Sequence, residues 1–325
     1  MKELKEIRFE NGQIFLDTNI VKGAILPKKI DELDQDVIIQ KDTIVEGAVY
    51  ANRLEIKNGD VDIRGAVFAQ LEIHVNSDAA GSVKFRRSIG AVGSVVSHAK
   101  NCKLMILSDI NAKEVRLENA FVAGSIFADE ISLANCVVIG GVFATSDLSI
   151  KSSIVGTFNS PTATLDGDIY LLLPSAFSLE PVSYNPATTT MTNLCLADLG
   201  SLYRHAPQLP NSGKIRMNLD VDELKSTLST DNRQLNLRSY TIIGKVLAAD
   251  LMDWDKMQNH FLLTAASLNS QLLKTYDLGL DADGSKAELT PERISGFFFD
   301  LLGGKVPVAE IDGSFSIDSV RESFA

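Results

Sequence analysis

The chain has 325 residues, of which 45% are hydrophobic, and its 31 basic and 42 acidic side chains give a net charge of −11. This length allows two domains or one elongated domain, and the apolar content is sufficient for a sizeable core. The acidic balance does not favour a nucleic-acid-binding protein, which would need a basic stripe, or electrostatic docking on anionic lipid.

Cysteine usage and the N-terminal sequence bear on the cellular compartment. Cys102, Cys136 and Cys195 form an odd and sparse set, which predicts no disulfide framework and favours a reducing compartment. Charges occupy the N-terminal stretch where a signal peptide would be apolar, and no window approaches the roughly 18 apolar residues of a membrane span. We therefore expect a soluble, cytoplasmic protein without direct membrane insertion.

The first predicted element is a β-hairpin. Two short alternating runs flank a glycine turn in "EIRFENGQIFL" (Glu6 to Leu16), a pattern typical of a hairpin. We assign residues 1–37 to an N-terminal hairpin or cap, and we expect it to cover the first turn of the domain that follows.

A repeated phrase then dominates the sequence. "GAVYANRLEI" begins at Gly47 and "GAVFAQLEI" at Gly65, and a fixed period of this size indicates a repeat architecture. The last apolar residue of each phrase serves as a marker, and the steps between markers are 17, 16, 17, 11, 16, 17 and 15 residues. We interpret the step of 11 as a change of phase within one domain. The markers are Ile56, Ile73, Ile89, Ile106, Leu117, Leu133, Ile150 and Leu165.

Short alternating runs separated by Gly, Asn, Asp and Ser predict three short strands per repeat. The pattern predicts a mainly β fold, a triangular parallel β-helix over residues 38–177 with roughly 16–17 residues per coil. We expect glycines at the corners to supply positive φ. The markers are expected to form one inward ladder, and a second is predicted from Val49, Val67, Ile126 and Val142. Asn119, Asn135 and Ser152 are expected to form a polar corner ladder.

The "G-x-V-F/Y-A…L-x-I" phrases, spaced by about seventeen residues, resemble those of the bactofilins, the polymer-forming cytoskeletal proteins of bacteria. The resemblance covers about residues 38–175. It implies a right-handed β-helix whose coils stack end to end into non-polar filaments without nucleotide.

Residues 178–325 are predicted to form a mixed α+β C-terminal domain. It would begin with a polar linker or surface loop at residues 183–192, which are rich in Pro, Asn and Thr. Four further elements are predicted. They are a strand within 235–247, a helix over 253–276, a helix capped by Thr290 with Pro291 at its first position, and a hairpin over 306–317 that turns at Asp312 and Gly313.

No catalytic constellation stands out. His74, His98, His205 and His260 are scattered, and surface or locally bonded roles are favoured for them. The cysteines lack CxxC spacing, so we predict no zinc site, and Cys136 is interpreted as a small buried hydrophobe. Left-handed β-helix acyltransferases repeat an aliphatic residue every six positions, a count that this chain does not hold.

Two acidic pairs are candidates for the carboxylate cluster that a β-helix polysaccharide enzyme needs. Asp60 with Asp62, and Asp166 with Asp168, each place two acids on one strand face. Solvation at turns and edges explains such pairs more often than catalysis does.

A weak calcium candidate lies at residues 281–292. Asp281, Asp283, Ser285 and Glu292 fit positions 1, 3, 5 and 12 of an EF-hand loop. Lys286 stands where the loop wants glycine, and Glu288 where it wants an aliphatic residue. We favour a turn leading into the capped helix, and predict no metal or cofactor.

Two functions follow. The first is a bactofilin-like scaffold that self-associates through its end coils, since end coils expose unpaired backbone groups. The end residues predicted to mediate this are Val37, Ile38, Ile39, Ile169, Leu171 and Leu172. The alternative is a capped, non-polymerising β-helix module that presents its C-terminal domain to a protein partner, because solenoids need caps. An enzyme is a distant third, and we predict none.

Overall fold

A computed structural model of the chain describes residues 7–16, 20–27, 34–76, 81–99, 101–171, 176–180, 182–185, 187–196, 236–243, 291–305 and 308–311. The fold is mainly β and contains a parallel β-solenoid of about eight turns over residues 37–184. The prediction of a parallel β-helix is therefore confirmed. The chain divides into two compact units, a first unit of Met1–Lys151 with Phe158–Ala163 and a second unit of Ser152–Thr157 with Thr164–Ala325.

The predicted N-terminal hairpin is present. Strand Ile7–Glu10 pairs antiparallel with Gln13–Leu16, and the two turn residues, Asn11 and Gly12, have φ values of 50° and 79°. Two central residues with positive φ define a type I′ turn, whose twist matches that of the flanking strands. On its other side, Gln13–Leu16 pairs in parallel with Asp36–Ile39. The second strand of the hairpin is thus also a rung of the solenoid.

Successive turns of the first unit contribute strands to three parallel sheets. The first sheet contains Gln13–Leu16, Asp36–Ile39, Ser94–Ser97, Glu114–Glu118 and the later parts of Val49–Ile56, Val67–Val75 and Ile126–Ala134. The second sheet contains Ile20–Val21, Thr43–Val45, Val61–Ile63, Gly81–Phe85, Cys102–Ile106 and Ala120–Val122. The third sheet contains Ile89–Ala91, Ile110–Asn111 and the earlier parts of Val49–Ile56, Val67–Val75 and Ile126–Ala134. The long strand Val137–Ser160 continues from these sheets.

The ladder predicted from Val49, Val67, Ile126 and Val142 exists, and two further residues complete it. Each member lies directly beside the next in the third sheet, and all are buried. The ladder is Val49, Val67, Ile89, Ile110, Ile126 and Val142. Because burying a Val or Ile side chain contributes roughly 1.5–3 kcal/mol, this row is a major part of the core of the first unit.

The marker residues do not form a single ladder, so that prediction is wrong. Ile56 lies beside Val75 rather than Ile73, because the coils differ in length. Ile106 belongs to the second sheet, whereas Leu117 belongs to the first. The step of 11 residues therefore marks a change from one sheet to another within the same solenoid, as predicted.

The corner glycines were predicted to supply positive φ, and this is wrong for Gly47 and Gly65. Gly81 does have positive φ, 104°. Gly47 and Gly65 instead face backbone of the neighbouring coil. A Cβ atom on Gly65 would lie 2.3 Å from the Ala48 nitrogen and from the Gly47 carbonyl carbon. Glycine is needed there because two backbones stack too closely for any side chain.

The predicted polar corner adopts the left-handed conformation throughout. Asn119, Asn135 and Ser152 have φ values of 55°, 53° and 41°, and Gly167 in the second unit has 72°. In the first unit the Asn135 side-chain amide donates a hydrogen bond to the Asn119 side-chain oxygen. Asparagine tolerates this conformation because its side chain bonds locally.

The second unit extends the parallel pairing beyond the predicted boundary at residue 177. Ser183–Tyr184 and Thr190–Leu196 pair in parallel with successive parts of Thr162–Leu171. The prediction of a linker or surface loop at residues 183–192 is therefore wrong at both ends, which are paired strands, while Ala187 and Thr188 between them form an exposed turn. Thr188 and Thr189 fix this segment, donating hydroxyl hydrogen bonds to the Asp166 carboxylate (3.2 Å) and the Leu165 carbonyl (3.3 Å).

Other elements of the second unit agree in part with expectation. Strand Asn236–Ile243 falls within the predicted range and pairs in parallel with Thr190–Leu196. Helix Pro291–Leu302 begins at the predicted proline and buries Phe298 and Leu301. Strand Val308–Ile311 pairs antiparallel with Asn236–Ile243, and a short strand spans Phe177–Ser178. The predicted helix over 253–276, the Thr290 cap and the turn at Asp312 and Gly313 lie outside the described residues.

Candidate functional site

The strand predicted to be the open N-terminal end is an interior strand. Asp36–Ile39 pairs on one side with Gln13–Leu16 and on the other with Val49–Ile56. Val37 and Ile39 are 0% exposed and Ile38 is 3% exposed. The placement of these three residues at an open end is therefore wrong, because the hairpin strand continues the parallel ladder past them.

The predicted C-terminal end is also continued by further strands. Ile169 and Leu171 are fully buried and lie beside Met191 and Asn193 of the next parallel strand. Their placement at an open end is wrong because the chain adds pairing after residue 184. Leu172 lies outside the described residues.

The acidic pair of Asp60 and Asp62 is engaged in structural interactions. Arg86 donates to both Asp62 carboxylate oxygens, from Nε at 2.7 Å and from Nη2 at 3.0 Å. Partial burial raises the pKa of Asp62, but the Arg86 hydrogen bond and charge outweigh this, so the pKa lies below its usual range. The Asp60 carboxylate accepts a hydrogen bond from the Ser82 backbone N–H at 2.7 Å. These contacts tie consecutive coils together.

The two histidines that the structure describes sit on the outer surface beside glutamates. His74 Nδ1 lies 3.6 Å from a Glu72 carboxylate oxygen, and His98 Nδ1 lies 3.9 Å from one of Glu118. Of the surface or locally bonded roles favoured from the sequence, these positions agree with the surface role. His205 and His260 lie outside the described residues.

The two cysteines whose side chains are described belong to the core. Cys136 is 0% exposed, with its sulfur 3.3 Å from the Ala134 carbonyl oxygen and 3.4 Å from that of Leu117. Burial raises the pKa of the Cys136 thiol to about 12 and also raises that of Cys102. The interpretation of Cys136 as a buried hydrophobe is confirmed.

Only one of the four residues of the calcium candidate lies within the described part of the chain. Asp281, Asp283 and Ser285 lie outside the described residues, and Glu292 is exposed in the first turn of helix Pro291–Leu302. In the part of the chain that the structure describes, no three His, Cys, Asp or Glu side chains cluster as metal ligands would. No helix in that part is long and apolar enough to span a membrane.

An aromatic row follows the outer face of the third sheet. Tyr50 lies beside Phe68, and Phe127 beside Phe143, on neighbouring strands. The first pair of rings is tilted by 45° with centroids 6.4 Å apart, and the second is stacked at 14° with centroids 5.1 Å apart. Tyr50 and Phe127 are 40% and 42% exposed.

A gap separates the two aromatic pairs. The two strands between them place Gly90 and Asn111 in the same outward row. We call the resulting depression the third-sheet groove. Its lining includes Phe68, Ser88, Gly90, Val92, Asn111, Lys113 and Asp129. With Phe68 in its lining at one end, the Phe127 and Phe143 pair next to the other end, and polar groups along its sides, the groove is suited to binding an amphipathic ligand.

Comparisons with protein-family models, curated proteins and solved structures give no match for this chain.

Sequence reasoning did not single out this aromatic row, although its signal was in the repeated phrase. Tyr50 and Phe68 occupy the same position in "GAVYA" and "GAVFA", and Phe127 and Phe143 occupy it in "SIFA" and "GVFA". Alternation in a strand requires that residues flanked by inward Val and Ala point outward. The recurring aromatic was therefore a predictable surface feature.

Proposed function

We propose that the chain is a structural scaffold, a capped β-solenoid module that binds partners through its outer surface or its C-terminal domain. One observation carries this proposal: the two strands predicted to be open ends are each paired with a further strand, Asp36–Ile39 with Gln13–Leu16 and Thr162–Leu171 with Thr190–Leu196. Asp62, one of the acidic residues considered for catalysis, is instead paired with Arg86. The role proposed is structural, not enzymatic.

The direction of the added strands supports the capped form. Addition of coils across subunits would continue a parallel ladder. The hairpin instead ends the first sheet with the antiparallel strand Ile7–Glu10. In the second unit, Val308–Ile311 likewise joins antiparallel to Asn236–Ile243. An antiparallel strand interrupts the parallel order that such addition would continue.

A bactofilin-like polymer is the second candidate. Its support is the regular inward ladder of the third sheet, together with the phrases at Gly47 and Gly65. In this form the chain would be a right-handed, triangular, nucleotide-free cytoskeletal element of a bacterial cytoplasm. That compartment suits the buried thiols of Cys102 and Cys136, which are not joined in disulfides. Its contacts would involve surfaces other than the strands at residues 36–39 and 162–171.

Light scattering and negative-stain electron microscopy of the full chain at micromolar concentration test the proposal. We expect a single small species, and filaments would overturn the capped form. In a two-residue hairpin Arg8 and Phe15 form a hydrogen-bonded pair, so Arg8→Pro removes a ladder bond of the cap. Arg8→Ser, the matched control, removes the same charge and keeps the N–H. Assembly by Arg8→Pro and not by Arg8→Ser would show that the hairpin blocks growth.

A further inference from the structure

The third-sheet groove has dimensions set by the strand spacing. Phe68 and Phe127 are three strands apart, which at about 4.8 Å per strand is roughly 14 Å. Gly90 contributes no side chain to the intervening space and Asn111 a short one, and the Phe68 ring borders this space with its Cδ2 atom 3.7 Å from where a Gly90 Cβ would lie. A ligand about two strand spacings long, roughly 10 Å, can therefore lie between the aromatic side chains.

One wall of the groove presents an aromatic face. Phe143 is stacked on Phe127 at nearly the strand spacing, with the rings only 14° from parallel. The stack therefore runs along the direction in which strands succeed one another. The opposite face of Phe127 then points toward the position of Asn111, the next residue in the row. A flat ring placed over Asn111 would continue the stack.

The sides of the groove supply hydrogen-bonding groups of both kinds. Asn111 offers an amide donor and acceptor, Lys113 a donor, and Ser88 a hydroxyl that already shares a hydrogen bond of 3.0 Å with the Ser108 hydroxyl. Asp129 offers carboxylate acceptors, of which one already accepts from the Thr145 hydroxyl at 2.6 Å. With one cation and one anion on its rim, the groove favours a neutral ligand.

We propose that the third-sheet groove binds a neutral oligosaccharide, with one pyranose ring stacked on Phe127 above Gly90 and Asn111. A pyranose has apolar C–H groups on its faces and hydroxyl groups around its edge. The negative face of an aromatic ring attracts those C–H groups, and the polar sides of the groove meet the hydroxyls. This site does not depend on whether the solenoid ends are capped.

Other occupants fit less well. The outer strip of the third sheet is about three residues wide and six strands long, roughly 10 by 29 Å, or about 300 Å². A stable contact with a second copy needs about 800 Å² per partner. A peptide strand cannot add to this sheet at the groove, because Ile89–Ala91 is already paired on both sides.

Saturation-transfer NMR on the full chain, with neutral gluco-, manno-, xylo- and N-acetylglucosamine oligosaccharides at millimolar concentration, tests the proposal. We expect transfer to ring protons of at least one series, followed by calorimetry to obtain the dissociation constant. Loss of one stacking face should weaken binding about tenfold in Phe127→Ala, equivalent to about 1.4 kcal/mol. Gly90→Phe should abolish binding by filling the gap, since a Cβ at Gly90 meets nothing nearer than the Asn111 carbonyl oxygen at 3.4 Å.

Tyr50→Ala is the matched control, because Tyr50 is an exposed aromatic of the same row that Phe68 separates from the gap, whereas Phe127 lies directly beside Asn111. Its affinity should stay within about twofold of the unmodified chain. Absence of transfer from all four series, or affinity unchanged in Phe127→Ala and Gly90→Phe, overturns the proposal. Binding of a proline-rich peptide in place of every sugar would assign the groove to a different ligand and overturn it equally. Particle size is measured on the same samples by light scattering. A single small species without sugar binding would overturn this proposal alone, whereas filaments would overturn the capped-scaffold proposal.

Discussion

Replacing Gly65 by alanine should strongly destabilise the solenoid, although it adds a single methyl group. The new Cβ would lie 2.3 Å from the Ala48 nitrogen and the Gly47 carbonyl carbon, whereas ordinary contacts begin at 3.4 Å. Both contacted atoms are backbone, so no side chain can rotate away. The neighbouring coil must move by roughly 1 Å.

The cost has two parts. The hydrogen bond from the Gly65 N–H to the Gly47 carbonyl is already 3.2 Å long, and a shift of 1 Å would break it. A lost backbone bond costs about 0.5–1.5 kcal/mol, and overpacking a tight site costs about 1–3 kcal/mol more. We expect the free energy of unfolding to fall by about 3 kcal/mol.

Urea denaturation followed by far-ultraviolet circular dichroism measures this loss. With a slope of about 1–3 kcal/mol per molar urea, the midpoint should fall by about 1 M or more. Gly90→Ala is the matched control, because its Cβ would meet only an ordinary contact at 3.4 Å and should change stability by less than about 1 kcal/mol. Equal midpoints for the two variants would refute the argument that close stacking of coils requires glycine at this corner.

Three more outcomes are expected. Ile126→Ala should lower the free energy of unfolding by about 2–5 kcal/mol in urea titrations, since Ile126 is fully buried within the third-sheet ladder, whereas Ile126→Val should cost only about 0.5–1.5 kcal/mol. Asp62→Asn should lower stability at neutral pH, where the carboxylate is charged and paired with Arg86. Because the folded-state pKa is lowered, the difference from the unmodified chain should shrink as the pH falls through that pKa, and a gap that widens in acid would contradict the assignment. Cys102 and Cys136 should resist maleimide in the native chain at neutral pH and react in urea, as peptide mapping can show, because burial keeps both thiols protonated and inaccessible.

The sequence predicted the solenoid because identical inward positions recur at nearly constant spacing. Val49 and Val67 occupy the same position in two copies of one phrase, and the repeat therefore predicted that they lie side by side. Ile56 and Ile73 were harder to place, since the length of each corner decides which residue of the next coil lies opposite, and corners vary. A ladder can be read from sequence only where consecutive coils have equal lengths.

The solenoid ends could not be predicted in the same way. Gln13–Leu16 alternates like any hairpin strand, and nothing in residues 17–35 repeats the later phrases, so its parallel pairing with Asp36–Ile39 had no local signal. At the other end, threonines read as loop formers instead stabilise paired strands, because Thr189 bonds the preceding coil through its hydroxyl. Composition describes a segment, whereas pairing depends on a neighbour that is distant in sequence.

The aromatic row shows a different limit. Phe127 was visible in the repeat, but its stacking on Phe143 and the gap at Gly90 are relations between coils. A single coil contains neither the stacked pair of rings nor the gap. Such a site becomes readable once the register of the coils is known.

Two neighbouring turns are related by the same offset of sixteen residues in all three sheets, which makes one turn removable. Ile110, Val115 and Val122 lie beside Ile126, Ile131 and Val138, each sixteen positions further along the chain. If residues 110–125 were excised, Ile126, Ile131 and Val138 would take the places of Ile110, Val115 and Val122. Each would then lie beside an apolar residue of the preceding turn, namely Ile89, Val95 and Ile106. A gene for such a chain can lose or duplicate a whole turn in a single event and still encode a continuous core, so the number of turns is free to drift while the cross-section is preserved.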